Sequence, residues 1–207
     1  MNIFEEGIDV SKYQGTIDFQ EVKKSGKGFV ILHAGFGRDI SQKDPCFETF
    51  YYDAKAAHLN VGAYWFSYAV DADDAEKEAY TFIQAINEKQ FEYPVYMDLE
   101  WDNQLIKGID FCSSLVESFC GTLQKNGYFT GLYMSRSPLQ TYIYPETAKK
   151  YSLWVAEYGD SCTYEKSYDM WQKSGQGNVD GICGDVDLDV SYKNFPDIIK
   201  KAGLNGF

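Results

Sequence analysis

A chain of 207 residues is long enough for one sizeable core and sits in the range that α/β barrels occupy as a single domain. The formal net charge is −12, and no stretch concentrates Lys or Arg as a phosphate-tracking groove requires, so nucleic acid is not an expected partner. No apolar run approaches the length of a membrane span, and the opening MNIFEEGIDV has neither the basic nor the apolar part of an export signal, so no signal peptide is visible.

In chain order, runs rich in β-branched and aromatic residues predict eight strands, at 7–11 (GIDVS), 28–35 (GFVILHAG), 61–69 (VGAYWFSYA), 93–100 (YPVYMDLE), 128–135 (YFTGLYMS), 152–159 (SLWVAEYG), 169–174 (DMWQKS) and 185–192 (DVDLDVSY). Between several of them apolar residues recur at helical spacing. Segment 45–60 places Phe47, Phe50, Tyr51, Ala54 and Ala57 on one face. Segment 73–88 opens on Asp73 and Asp74, acids suited to a helix N-terminus, and aligns Ala75, Ala79, Phe82, Ile83 and Ile86. Segment 109–126 aligns Phe111, Leu115, Phe119 and Leu123, with Gly127 as its stop. Alternating strands and helices predict an α/β fold with a parallel sheet, and eight strands predict a barrel. After residue 152 the strands follow one another closely, so loops rather than helices close the last part. The barrel is therefore irregular, with about five helices. The chain reads as one catalytic domain over 1–207, and the final KKAGLNGF is compatible with the start of a linker near 203–207.

In a parallel barrel the C-terminal ends of the strands line one mouth, where chemistry is done. Period-two alternation puts Tyr96, Asp98 and Glu100 on one face of the fourth strand. The α-carbons of the two acids would lie about 7 Å apart, close enough for one charge to raise the other's pKa and keep a general acid protonated. Asp9 lies between Ile8 and Val10 on the first strand, and Asp185, Asp187 and Asp189 alternate with apolar residues on the last, which neighbours the first in a closed barrel. Three separate parts of the chain thus send acids to one mouth. Aromatic residues in phase with the mouth, Tyr64, Phe66, Tyr133, Trp154 and Tyr158, could stack on sugar faces, although Phe66 and Trp154 suit core packing better, and the tyrosines suit both roles because their hydroxyls need partners.

Other chemistries lack residues. His33 and His58 are the two histidines, and both read as structural. Five Cys include no C-x-x-C pair, and Cys112 and Cys120 would stand about 12 Å apart along one helix, too far to bridge. DVDLD resembles the start of a calcium loop only superficially, because Val190 stands where that loop needs Gly. No metal and no cofactor are expected. Two rival readings use the same residues: a glycan-binding barrel without catalysis, which need not gather four acids, and a hydrolase that uses the acids as metal ligands.

Taken together, GIDVSKYQG (7–15), VGAYWFSYA (61–69), PVYMDLE (94–100), GLYMS (131–135), LWVAEY (153–158) and WQKSGQGNVDGICGDVDLD (171–189) resemble the glycoside hydrolase family 25 lysozymes, in that family's order and over nearly the whole chain. The resemblance implies an irregular, flattened barrel with fewer than eight helices and an N-acetylmuramidase that cuts the β-1,4 bond between N-acetylmuramic acid and N-acetylglucosamine. Bacterial peptidoglycan would be its partner, the cell wall its place of action, and a monomer its form. It implies Glu100 as proton donor, with Asp98, Asp9 and Asp187 as the other active-site acids. Asp189 stands where the family commonly has Asn, and WQKS departs from the family's WQYS by placing Lys173 at an aromatic position.

Overall fold

The structure is a computed structural model and describes residues 2–207. Eight strands close a barrel in sequence order: β1 (Glu5–Val10), β2 (Phe29–Phe36), β3 (Asn60–Phe66), β4 (Val95–Asp98), β5 (Thr130–Ser135), β6 (Ser152–Ala156), β7 (Met170–Gly177) and β8 (Val186–Ser191). Strands β1 to β7 pair in parallel, but β8 runs antiparallel to both β7 and β1. The expectation of a wholly parallel sheet is corrected here. Only eight residues, 178–185, join β7 to β8, too few for the crossover a parallel pair needs.

Among the described residues eight α-helical segments are formed, besides two short 3-10 turns at Lys12–Gln14 and Ile40–Gln42: α1 (Phe19–Lys24), α2 (Phe47–Ala56), α3 (Ala72–Ile86), α4 (Asp102–Leu105), α5 (Ile109–Lys125), α6 (Arg136–Tyr142), α7 (Pro145–Ala148) and α8 (Phe195–Ala202). Two of these, α4 and α7, are single turns, so the expected five undercounts the short pieces. The three helices read from periodicity are α2, α3 and α5. The Asp71 side chain caps α3 by accepting from the Asp74 N–H, and Gly127 follows α5 at φ 83°, where a residue without Cβ is least strained.

Alternation sorts the strands into two cores. Val30, Leu32, Val61, Trp65, Met97, Leu132 and Val155 point outward and pack beneath α2, α3 and α5. Phe29, Ile31, Tyr96, Tyr133, Trp154 and Met170 point inward and fill the barrel, which is where much of the chain's aromatic content goes. Glycine on neighbouring strands makes room for them: a Cβ on Gly7 would stand 2.5 Å from the Phe29 ring, and one on Gly131 would stand 2.3 Å from the Tyr96 ring.

Helix α8 closes the bottom of the barrel with Phe195 and Ile199 against Phe29 and Tyr93. Residues 203–207, compatible in sequence with the start of a linker, lie against that end. Asn205 is fully buried, accepts from the Phe129 N–H at 2.7 Å and donates to the carbonyls of Phe91 and Tyr93 at 3.2 and 2.9 Å.

Candidate active site

The inward positions at the open end form a nested set of carboxyl groups. Asp9 on β1 stands directly across from Asp187 on β8, and Asp189 lies one layer deeper, across from Gly7. The reversal of β8 explains this ordering. Its N-terminal end lies at the mouth, so Asp185 falls beyond the rim and is exposed, Asp187 is half-buried, and Asp189 is fully buried. The fourth strand ends at Asp98, in register with Phe66 on β3 and Tyr133 on β5, so Glu100 belongs to the loop that follows rather than to the strand itself. Glu100 is exposed whereas Asp98 is only 4% exposed.

Burial acts on every member, and the charge of a neighbouring carboxylate adds to it on all but Asp187. Burial, then the charges of Asp189 and Asp187, hold Asp9 well above the usual carboxylate range. Burial, then Glu100, does the same to Asp98. Glu100 is raised by desolvation and next by Asp187. Desolvation lifts Asp187 to about 6 and Asp189 to about 7. The cluster therefore retains protons near neutrality that isolated carboxyls would have lost.

Specific hydrogen bonds fix the inner members. Gln172 on β7 donates to Asp9 Oδ2 at 2.8 Å, while its Oε1 accepts from the Tyr133 and Tyr158 hydroxyls at 2.9 and 3.3 Å. Trp154 Nε1 donates to Asp189 Oδ1 at 2.8 Å. The protonated Asp9 carboxyl is within hydrogen-bond reach of Asp189, whereas one Oδ atom of Asp98, out of reach of solvent, has no hydrogen-bond partner among the described residues.

Two cavities meet at the acids. The first, about 230 Å³, is lined by Asp9, Tyr64, Asp98, Glu100, Tyr133, Trp154, Tyr158, Gln172 and Asp187. The second, about 380 Å³, adds His33, Phe36, Phe66, Tyr68 and the loop Ser11–Tyr13 while sharing Tyr64, Asp98 and Glu100. They are two arms of one groove with Glu100 and Asp98 at the junction.

Of the residues named from sequence, Asp9, Asp98, Glu100, Asp187, Tyr64, Tyr133, Trp154 and Tyr158 share the first arm, and Phe66 lines the second. Trp154, 1% exposed, forms the floor of that arm, whereas Asp189 is fully buried behind it and lines neither arm, so its expected contact with substrate is not formed. Tyr158 is 64% exposed at the rim. Gln172 was missed, although its position in WQKS is in phase with the inward residues. His33, read as structural, lines the second arm, while His58 is exposed beyond the end of α2. All five cysteines are free thiols.

Acids of unequal burial at the open end of a barrel, with room for a ligand on either side, are the arrangement that a barrel of the glycoside hydrolase class requires. Residues 8–182 match the model of the glycosyl hydrolases family 25, and the chain belongs to that family. The autolytic lysozyme of Clostridium acetobutylicum is 34% identical over 185 residues, 89% of this chain and 55% of that protein, so the chain spans about half the length of that relative. The modular autolysin LytC of Streptococcus pneumoniae, solved in complex with a synthetic peptidoglycan ligand, superposes with a TM-score of 0.80 at 25% identity, covering 91% of this chain and 46% of that one. The bacterial lysozyme of Streptomyces coelicolor has the same fold, with a TM-score of 0.82 at 24% identity and 96% of each chain covered.

Proposed function

We propose that this chain, as one catalytic domain acting as a monomer without a cofactor, is a lysozyme-type muramidase of the bacterial cell wall. It hydrolyses the β-1,4 bond between N-acetylmuramic acid and N-acetylglucosamine in peptidoglycan. The observation that carries this reading is the shared lining of the two cavity arms: a glycosidic bond placed at Glu100 and Asp98 has room for a sugar on each side. Glu100 is the proton donor. Its carboxyl is raised, so it holds a proton to deliver to the glycosidic oxygen, and it is the most exposed of the five acids, so water can return that proton afterwards.

Asp98 is the helper. Its carboxyl lines both arms beside Glu100 and suits an acceptor for a substrate N–H, as needed if the sugar's own acetamido group assists departure of the leaving group. Asp187, lifted only to about 6, offers negative charge to the oxocarbenium-like transition state from across the barrel, with Asp9 beside it as a proton-holding partner. Replacing Glu100 with Gln is expected to lower the release of new reducing ends from purified peptidoglycan by more than about a hundredfold. Mass spectrometry of the wild-type digest should find muramic acid at the new reducing ends. Glucosamine there, or full activity in the Glu100→Gln protein, would overturn the assignment.

A further inference from the structure

The second arm of the groove contains a histidine that the acid chemistry does not use. His33 Nδ1 lies 2.9 Å from Asp44 Oδ2, and Asp44 is itself fixed, accepting from the backbone N–H groups of Lys12 at 3.0 Å and Cys46 at 2.8 Å. Burial of Asp44 works against its charge, but the hydrogen bonds from His33 and the two amides prevail and hold the carboxyl below its usual range. With an anion at one ring nitrogen, Nδ1 carries the proton and Nε2 is the atom left to act. No hydrogen bond to Nε2 is formed among the described residues, and the ring lines the arm beside Tyr64, with centroids 4.9 Å apart.

We infer that His33, oriented by Asp44, binds a sugar hydroxyl in this arm and sets how much of a glycan strand the enzyme grips beyond the bond it cuts. This rests on the proposed function. A hydroxyl is the group that fits, because it donates to Nε2 of a neutral imidazole and accepts from that of a charged one. The flanking rings of Phe36, Tyr64 and Tyr68 provide flat apolar walls for the sugar, and the nearby carboxyls of Asp98 and Glu100 disfavour an anionic occupant.

The test is a length series of soluble peptidoglycan glycan strands cleaved by the wild type, His33→Phe and Asp44→Asn. Phenylalanine keeps a flat ring against Tyr64 and removes the nitrogen. For long strands KM should rise about tenfold in His33→Phe, as expected for one lost hydrogen bond, with a smaller change in kcat and a loss that shrinks as the strands shorten. Asp44→Asn should give the same length dependence at smaller amplitude. A loss of equal factor at every length, or none at any, would overturn the inference while leaving the function standing. A wild-type protein that cleaves no strand would overturn the function itself. Should His33→Phe fold poorly, titrating long strands into Glu100→Gln and Glu100→Gln/His33→Leu proteins reads the same contact, and equal affinities would refute it.

Discussion

At Glu100 two influences raise the carboxyl, burial and the charge of Asp187. Removing that charge lets Glu100 give up its proton at lower pH. In an Asp187→Asn protein the alkaline limb of residual kcat/KM should therefore move to lower pH, and a pH–rate profile measures the displacement. The deepest acid bears on stability instead. Asp189 titrates near 7 when folded but at the ordinary value near 4 when unfolded, so between those limits the folded chain holds more protons. Stability is then highest in the acid part of this window and falls as pH rises through it. Asp189→Asn keeps an acceptor for Trp154 and removes the buried charge. It should raise the melting temperature at pH 7 by about 2–4 °C and flatten its pH dependence, as calorimetry would show. These residues were legible in the sequence because acids alternating with Val and Leu have no structural need to be there. Gln172 was not, since an amide between Trp171 and Lys173 gives no chemical signal until Asp9, 163 positions away, is brought within 2.8 Å of it.

Among the elements, strands announced themselves by composition, and the three longest helices by period. The direction of β8 did not, because a period of two reads alike both ways along the chain. The cue was the length of the preceding connection. The short helices α1 and α8 also escaped periodicity, having fewer than three turns each, and their starts are marked instead by the caps Asp18 and Asn194. Inside the barrel, strand spacing depends on side chains that are absent. A methyl group on Gly131 would press on the Tyr96 ring and stand 2.4 Å from the Ser152 carbonyl oxygen, which belongs to the next strand's backbone. Gly131→Ala should cost about 3 kcal/mol or more in urea unfolding, because the backbone cannot step aside without breaking the β5–β6 ladder.

Across the whole molecule, the closed end is held by one polar side chain as well as by apolar packing. Asn205 joins the segment after α8 to the approaches of β4 and β5, and alanine in its place would leave two carbonyls and one amide without their partners. We expect Asn205→Ala to lower stability by about 3 kcal/mol in chemical denaturation, with little change in kcat, since the site lies at the other end of the barrel. Nothing in the local sequence GLNGF points to this role, which exists only once residues more than a hundred positions apart meet.

The reversed last strand has a consequence for how the molecule can be joined to others. Because β8 runs back down beside β1, the chain enters and leaves the barrel on the same side, with Glu5 paired to Ser191 there. A group joined at either terminus hangs on the far side from the acids, and the open end stays clear for a polymer much longer than the protein, as the proposed function requires.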